Sequence, residues 1–485
     1  MSKDLIVAVD AGTTGITVVV YNLELVVQRK CYREIACFYP QEGWVEQDAG
    51  EIWEVAAELM REAVGGEGER VAGVGITNQR ETVVAFDGTT GEPLARAIVW
   101  QCRRTAERCG ELRASGVEER VRAKTGLLLD AYFSGTKMRW LIEHEEAVGG
   151  AGDELRMGTV DAWMVWKLTG GAVFATDHTN ASRTLLYDLD EKNWSDELLE
   201  LFGVERGVLP EVRRSVGKFG ETTEAAVGFQ APIMAVIGDQ QSALFGQGCV
   251  RAGEVKCTYG TGAFLLMKTD ERPQLKGPGL LATAAVNADG GAGFAVEGAV
   301  FVAGAVVQWL RDELGLIEDA AETEVLARSV GDTAGVQLVP AFVGLGAPHW
   351  EPGARGVMTG LTRGATKAHI VRAALEGIAQ QTEDLLEAFR EEGEVGSMAV
   401  DGGAAANDFL MQFQADLSGV EIRRGADVES TVRGAARGVL LGLGGEPGDA
   451  PSEDRVFAPD GDREVRRRLR SAWADAVRVA CRDEG

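Results

Sequence analysis

The chain has 485 residues, and its 75 Asp and Glu against 49 Lys and Arg give a formal net charge of −26 at pH 7. This length predicts two or three domains, and the negative charge argues against a nucleic-acid partner. The 45% hydrophobic and 26% charged residues are typical of a folded protein and exclude disorder as the default.

The cysteines and the apolar stretches indicate the compartment. None of the seven cysteines forms a Cys-x-x-Cys pair, which favours free thiols in a reducing environment. Residues 1–4 lack the pattern of a signal peptide, and the longest uncharged apolar stretch, residues 298–310, is too short to cross a bilayer. We therefore expect a cytoplasmic protein without a membrane span.

The N-terminal part of the chain predicts a β-meander followed by an α/β pattern. Apolar, β-branched runs predict strands at residues 4–10, 16–22, 26–36, 71–77 and 82–86. A Gly-Thr turn separates the first two strands. Asp48 is the predicted N-cap of a helix that ends at Val64, and a second helix is predicted at residues 136–146. This alternation is typical of an α/β fold.

The pattern begins again with a predicted strand at residues 232–238 and a helix at 240–247. A strand, a Gly-Thr turn and a strand then follow at residues 253–267, as in the first segment. Two similar halves predict two related lobes with a cleft between them. We place the lobes at residues 1–246 and 247–485. The second lobe ends in a Gly-, Pro- and Asp-rich stretch at residues 442–452 and a helix at 463–481.

Two Gly-Thr turns are candidates for phosphate binding. Asp10 ends a buried-looking strand, and the Gly-Thr-Thr that follows directs backbone N–H groups and hydroxyls toward one place. Asp10 is also a candidate Mg²⁺ residue, because this cation retains water and takes few carboxylates. A plain hairpin is the more common explanation of one such turn. The second turn, at residues 259–262, favours phosphate contacts from both lobes.

Residues 401–407, Asp-Gly-Gly-Ala-Ala-Ala-Asn, follow an apolar run. The glycines permit close backbone approach and the small side chains leave room for a flat ring, so an adenosine pocket is one interpretation. A strand-to-helix turn capped by Asn407 is an equal alternative. The sequence contains no P-loop, dinucleotide-binding fingerprint, Ser-hydrolase motif or zinc-protease motif.

Arg80 and Glu81 lie between two predicted strands, where we expect them to face loop space. A guanidinium that donates to hydroxyl oxygens, next to a carboxylate that accepts from hydroxyl hydrogens, can bind a small polyol. A solvated turn is the common alternative. Trp100 and Tyr132 supply aromatic rings near strand ends, although such rings are more often core than pocket.

Asp239 directly follows the predicted strand at residues 232–238, at the edge of a sheet where ligands tend to bind. A carboxylate within hydrogen-bond reach of an alcohol can serve as general base in phosphoryl transfer. A helix N-cap would have the same sequence pattern, so both interpretations stay open.

The chain resembles the FGGY carbohydrate kinase family from Asp10 to residue 438. The matching segments are residues 75–82, 98–105, 132–137, 179–184, 238–241, 259–262, 344–348 and 401–403. The resemblance implies the actin/hexokinase/Hsp70-like (ribonuclease H-like) fold, with duplicated α/β lobes and a central cleft that closes on Mg²⁺ and ATP. It also implies an ATP:glycerol 3-phosphotransferase of glycerol catabolism, which forms sn-glycerol 3-phosphate.

The resemblance implies a role for each matching residue. The triol hydroxyls would bind Arg80, Glu81, Tyr132, Asp239 and Gln240. The carbon chain would lie between the rings of Trp100 and Phe264. The phosphates and the nucleotide would contact Thr13, Thr14, Gly15, Thr261, Gly304, Gln308, Gly403 and Asn407. Asp239 would be the catalytic base and Asp10 the Mg²⁺ residue.

One segment departs from the family pattern. Members commonly continue the first phosphate turn as Thr-Thr-Ser-Ser-Arg, whereas Thr14 is followed here by Gly15, Ile16 and Thr17. The arginine is missing, so we expect a different nucleotide affinity or rate.

Two alternatives to glycerol phosphorylation stay open. One is a kinase for another polyol or a ketose, and the other is an actin/Hsp70-like ATPase without an acceptor. Asp239 together with the Arg80–Glu81 pair argues against the second. We expect glycerol and ATP as the partners, and a homo-oligomer, dimer or tetramer, stays open.

Overall fold

A computed structural model describes residues 3–425, 429–446 and 453–481. The chain divides into two compact units. Unit 1 consists of Met1–Val250, Ala282–Phe294 and Glu429–Asp449, and unit 2 of Arg251–Leu281, Ala295–Val428 and Ala450–Gly485. The units interleave in sequence because the chain returns to unit 1 twice. The lobe boundary after residue 246 stays a prediction.

The strands are numbered in chain order. They are β1 (Leu5–Ala11), β2 (Gly15–Asn22), β3 (Val27–Glu34), β4 (Glu46–Gln47), β5 (Val71–Asn78), β6 (Val83–Asp87), β7 (Ala97–Ile98), β8 (Leu155–Thr159), β9 (Ala175–Asp177), β10 (Tyr187–Asp188), β11 (Asn193–Trp194), β12 (Glu211–Arg213), β13 (Val216–Glu221), β14 (Pro232–Gly238), β15 (Glu254–Tyr259), β16 (Ala263–Thr269), β17 (Leu281–Val286), β18 (Ala292–Val300), β19 (Gln337–Val339), β20 (Val357–Thr359), β21 (Ser397–Asp401), β22 (Glu421–Gly425) and β23 (Glu453–Phe457).

The α-helices are numbered in the same way. They are α1 (Ala49–Val64), α2 (Ala106–Ala114), α3 (Glu118–Thr125), α4 (Ser134–His144), α5 (Glu146–Gly149), α6 (Val160–Leu168), α7 (His178–Ala181), α8 (Asp196–Phe202), α9 (Glu224–Val227), α10 (Asp239–Gly246), α11 (Gly304–Asp312), α12 (Glu322–Arg328), α13 (Lys367–Arg390), α14 (Asp408–Ser418), α15 (Ser430–Gly442) and α16 (Arg463–Ala480).

Unit 1 is built on a six-stranded sheet in the order β13-β14-β5-β1-β2-β3. β1, β5 and β14 are parallel, whereas β2, β3 and β13 pair antiparallel with their neighbours. The apolar runs form these strands because alternate residues are buried on opposite faces of the sheet. The predicted meander and the predicted strand at residues 232–238 are confirmed.

Unit 2 repeats this topology. In its sheet β16-β15-β21-β22-β23 are consecutive neighbours. β15 and β16 form an antiparallel hairpin, and β21 and β22 continue in parallel beside β15, as β5 and β14 do beside β1. The prediction of two similar halves, each with a Gly-Thr turn between two strands, is confirmed.

The predicted helices agree with the structure within a few residues. Asp48 caps α1 by accepting from the backbone N–H groups of Gly50 and Glu51. α16 corresponds to the helix predicted at residues 463–481. In the Gly-, Pro- and Asp-rich stretch at residues 442–452, positions 447–452 lie outside the described residues. Among the described helices, none has the length and apolar character needed to cross a membrane.

α15 comes from late in the chain and packs against the unit 1 sheet. Its apolar residues Val432, Ala435 and Val439 belong to one buried cluster with Ile6 of β1. Gly75 of β5 permits this contact, because a Cβ there would lie 2.7 Å from the carbonyl oxygen of Ala435. α15 therefore lies directly against β5.

Candidate active site

The residues predicted to bind the acceptor follow three neighbouring parallel strands. The last residues of β1, β5 and β14, which are Ala11, Asn78 and Gly238, lie in register. The segments after these strands therefore share one edge of the sheet. Ligands bind at the carboxyl ends of strands in open α/β sheets, so this edge is the candidate site.

Arg80, Glu81 and Asp239 form one charged cluster at this edge. Arg80 Nε lies 3.1 Å from Asp239 Oδ1 and 3.8 Å from Glu81 Oε1. Arg80 and Glu81 are only 2% and 1% exposed, so the expectation that they face loop space was wrong. At the start of α4, Ser134 Oγ donates to the Glu81 carbonyl oxygen at 3.1 Å. The Asp239 side chain is 29% exposed and stays accessible.

Asp239 is the first residue of α10, and Gly238 is the N-cap. Asp239 Oδ1 accepts from the backbone N–H of Gln240 at 2.6 Å. The positive end of the helix and the Arg80 guanidinium both face this carboxylate. Asp239 is therefore not the N-cap of α10, which was one of its two interpretations.

Trp100 and Tyr132 lie beside the charged cluster. Their ring centroids are 5.6 Å apart in an edge-to-face arrangement. Trp100 Nε1 donates to Thr13 Oγ1 at 2.8 Å, which joins the aromatic pair to the first Gly-Thr turn. Phe264, the second residue predicted to line the carbon chain, lies on β16 in unit 2.

The hydroxyl of Thr13 is already used within the protein. It accepts from Trp100 and donates to Gln79 Oε1 at 3.2 Å. Thr14 is exposed, so its hydroxyl and the backbone of the turn are the groups open to a phosphate. The phosphate roles of Thr13, Thr14 and Gly15 stay predictions.

Gly15 has a local reason to differ from the serine of the family pattern. A Cβ at this position would lie 2.6 Å from both the Tyr32 ring and the carbonyl oxygen of Arg33. Tyr32 pairs across the sheet with Thr17, the position where the family commonly has arginine. The departure from the pattern therefore involves β3 as well as the turn.

Asp10 fits a divalent cation. Among the described residues its Oδ1 atom is buried and has no hydrogen-bond partner. Burial and then the charges of Asp239 and Glu429 raise its pKa to about 8. A cation beside this oxygen would offset both penalties. Mg²⁺ keeps several waters and binds few carboxylates, so its other ligands would be water and phosphate oxygens.

Unit 2 contains a cavity of about 420 Å³. Its lining includes every residue predicted for the nucleotide in this unit, namely Thr261, Gly304, Gln308, Gly403 and Asn407. Gly304 permits the close turn at the start of α11, because a Cβ there would lie 2.6 Å from the Gly260 carbonyl oxygen. Asn407 is both the N-cap of α14, accepting from the Leu410 N–H at 3.0 Å, and part of the lining.

Sequence reasoning missed several residues of both sites. Arg183 and Lys137 contact Glu81, and Gln241 accepts from Arg80. In unit 2, Thr323 and Glu324 of α12 line the cavity. Arg183 and Lys137 stand in segments that match the family, and this was the only available signal. No motif marked α12.

Known proteins of one family resemble this chain over most of its length. The FGGY family of carbohydrate kinases matches with its N-terminal domain over residues 5–246 and its C-terminal domain over residues 255–439. A glycerol kinase of Shewanella amazonensis is 50% identical over 490 residues, which cover 99% of this chain and 99% of the relative. The crystal structure of Plasmodium falciparum glycerol kinase with ADP is 33% identical, with a TM-score of 0.94 and coverage of 99% of both chains.

The fold is shared more widely. The crystal structure of xylulose kinase from Rhodospirillum rubrum has a TM-score of 0.88 over 98% of both chains at 23% identity, which shows the fold alone. The expected two-domain α/β fold is confirmed. Since the domain models together match most of the sequence, the chain belongs to the FGGY family of carbohydrate kinases.

Proposed function

We propose that this chain transfers the γ-phosphoryl group of ATP to glycerol and forms ADP and sn-glycerol 3-phosphate. The observation that carries the proposal is the cluster of Arg80, Glu81 and Asp239 at the carboxyl ends of parallel strands. Identity of 50% to a glycerol kinase over nearly the whole chain supports this acceptor. The likeness to a glycerol kinase with ADP supports the nucleotide.

In this proposal the acceptor hydroxyls bind polar side chains and the carbon chain lies against rings. Arg80 donates to hydroxyl oxygens and Glu81 accepts from hydroxyl hydrogens. Tyr132, Asp239 and Gln240 complete the polar contacts. The rings are those of Trp100 and Phe264.

Asp239 would accept the proton of the attacking hydroxyl. The hydroxyl oxygen then forms a bond to the γ-phosphorus, and the bond from that phosphorus to the bridging oxygen of ADP breaks. Holding the two reactants in line can supply about 7–11 kcal/mol of the barrier reduction. Exclusion of water matters as well, because water is a smaller acceptor than glycerol.

The nucleotide would occupy the unit 2 cavity. Gly304, Gln308, Gly403 and Asn407 line it, and Thr261 would contact phosphate. In unit 1, Thr13, Thr14 and Gly15 would contact phosphate from the first turn. Asp10 would hold Mg²⁺ through one carboxylate, and this ion would neutralise charge on the transferring phosphates.

The remaining expectations belong to the same proposal. Residues 1–246 would form the lobe for polyol and phosphate, and residues 247–485 the lobe for nucleotide. All seven cysteines are free thiols, which supports a reducing, cytoplasmic location. A dimer or tetramer remains a candidate assembly.

The test is an acceptor panel with coupled detection of ADP. We expect the highest kcat/KM for glycerol among polyols and ketoses, with slow hydrolysis of ATP when no acceptor is present. A preference for a pentulose would replace glycerol as the acceptor. Hydrolysis of ATP that glycerol does not change would favour the actin/Hsp70-like alternative.

A further inference from the structure

Glu81 is held by two buried cations that the proposed reaction does not use directly. Arg183 Nε donates to Glu81 Oε1 at 2.6 Å, and the two side chains are 0% and 2% exposed. Lys137 Nζ donates to the carbonyl oxygen of Glu81 at 3.2 Å, and Lys137 is also fully buried. One cation therefore fixes the Glu81 carboxylate and the other fixes its main chain.

Both cations also contact Tyr132. The Arg183 guanidinium lies 5.6 Å from the centroid of the Tyr132 ring, a distance typical of a cation–π contact. Lys137 Nζ donates to the Tyr132 carbonyl oxygen at 2.5 Å. Glu81 and Tyr132 are thus joined twice, once through their side chains and once through their main chains.

The backbone of Glu81 needs this support. Its φ of +62° is in the left-handed region, which a residue with a β-carbon adopts only at a cost. The Glu81 carbonyl accepts from both Lys137 and Ser134, and these bonds hold the peptide in this conformation.

Packing alone does not account for a lysine at position 137. Burial lowers the pKa of Lys137 to about 7, so keeping it charged is unfavourable, although the nearby Glu81 opposes the shift. An apolar side chain of similar length would fill the same space without this cost. What lysine adds is donation to two carbonyl oxygens at once.

We propose that Arg183 and Lys137 are positioning residues that hold Glu81 and Tyr132 in one fixed arrangement for the acceptor. This inference rests on the proposed function, because it gives Glu81 and Tyr132 their role. A site that is ordered before the acceptor arrives avoids the entropy cost of ordering it during binding. Loss of either cation should therefore weaken acceptor binding far more than nucleotide binding.

A double-mutant cycle of Arg183→Gln and Glu81→Gln tests the side-chain contact. We expect Arg183→Gln to raise the KM for the acceptor by about tenfold or more and to leave the KM for ATP within about twofold. Because part of the effect of Arg183 passes through Glu81, the acceptor KM of the double variant should rise by less than the product of the two single effects. An unchanged acceptor KM, or effects that multiply independently in the double variant, would overturn the role of Arg183.

Lys137→Met tests the main-chain contact, and Ser134→Ala is its matched control. Ser134→Ala removes one donor to the Glu81 carbonyl but leaves the bond from Lys137 to Tyr132. We expect the acceptor KM to rise more in Lys137→Met than in Ser134→Ala. An equal or smaller effect in Lys137→Met would overturn the role of Lys137.

Two further variants separate positioning from general loss of stability. Arg104→Gln removes another buried arginine of unit 1, which pairs with Glu46. It should lower the melting temperature without changing the acceptor KM. If Arg183→Gln does not fold, Arg183→Met replaces it in the cycle, and an acceptor KM equal to the wild type in that variant would count against the proposal.

The acceptor panel keeps the two proposals distinct. If the wild type uses a pentulose instead of glycerol, the proposed function fails. The cycle is then measured with that pentulose, and non-additive effects on its KM would still support the positioning role. Additive effects would overturn the positioning role whichever acceptor the wild type uses.

Discussion

In the charged cluster of Arg80, Glu81 and Asp239, Asp239 is the carboxylate that remains accessible, and it is paired with Arg80. Asp239→Asn keeps the size of the side chain and removes the proton acceptor. We expect kcat to fall by about 10²–10⁴-fold, the usual contribution of general base catalysis, with a smaller change in the KM for glycerol. Steady-state kinetics measure both constants.

The control is Asp289→Asn, which changes a carboxylate of unit 1 that is 71% exposed. Its kcat should equal that of the wild type. If Asp239→Asn also kept the wild-type kcat, Asp239 would have no part in the chemical step.

Asp10 should link the binding of Mg²⁺ to pH. Burial and the charges of Asp239 and Glu429 raise its pKa to about 8, so at pH 7 the metal-free carboxyl is mostly protonated. A metal ion binds the ionised form of the Asp10 carboxyl. The apparent affinity for Mg²⁺ should therefore rise about tenfold per pH unit up to about pH 8 and then level off. Calorimetry of the ADP complex in buffers of different ionisation enthalpy measures the proton released.

Asp10→Asn is the control for this linkage. The variant has no carboxyl to titrate, so Mg²⁺ should release about one proton fewer at pH 7 than in the wild type. Equal proton release in both proteins would mean that another group is coupled to the metal.

Single residues differ in how far the sequence could place them. Asp239 and Asn407 were predictable because each follows an apolar strand, and strand ends are where caps and ligands occur. The burial of Glu81 was not predictable, since it depends on α4 and on Arg183, which stands far from Glu81 in sequence. Local spacing carries no information on which loops meet.

At the scale of elements, Asp384 ties α13 to the C-terminal helix. Its carboxylate accepts from Trp473 Nε1 at 2.8 Å and Arg470 Nη2 at 2.5 Å, both on α16, and from His349 Nε2 at 2.8 Å. Asp384→Asn removes the negative charge from this buried site. We expect the free energy of unfolding to fall by about 3 kcal/mol at pH 7, as measured by chemical denaturation.

The sign of the pH dependence follows from the same contacts. Although burial opposes it, hydrogen bonds and charges from His349 and Arg470 leave the pKa of Asp384 below its usual value. The contribution of ionised Asp384 to the free energy of unfolding is therefore present above about pH 4, and it is lost as pH falls through the lowered pKa. Glu387→Gln, at a carboxylate that is 52% exposed, should change stability little. If both variants lost the same free energy of unfolding, burial would not make the Asp384 contacts more stabilising than the exposed contact of Glu387.

The elements themselves were largely predictable, but one assignment was not. The hairpins and α1 follow from apolar periodicity and capping residues. Periodicity does not reveal which sheet a helix covers, and α15 returns to unit 1 from late in the chain. The available signal was glycine inside β5, at Gly73 and Gly75, because glycine within a strand often marks close backbone approach.

At the scale of the whole molecule, the two units share a topology but carry different residues for the proposed reaction. Arg80, Glu81 and Asp239 lie in unit 1, whereas the cavity that we propose for the nucleotide is lined by unit 2 alone. Composition predicted an acidic chain with large cores, and patterning predicted the duplication. Neither could assign chemistry to one half, because that depends on which side chains stand at the strand ends.

The net charge of −26 should make stability depend on salt. Exposed ion pairs such as Arg139–Glu143 weaken as salt rises, but each contributes about 1 kcal/mol or less. Repulsion among the excess carboxylates extends over the whole molecule and is screened as the Debye length falls from about 30 Å at 0.01 M salt to about 8 Å at 0.15 M. We therefore expect the melting temperature to rise by a few degrees when KCl is raised over this range. Scanning calorimetry at fixed pH measures the melting temperature, and sucrose of equal osmolality is the control for nonionic solute effects. A lower melting temperature in KCl would mean that the local ion pairs outweigh the overall repulsion.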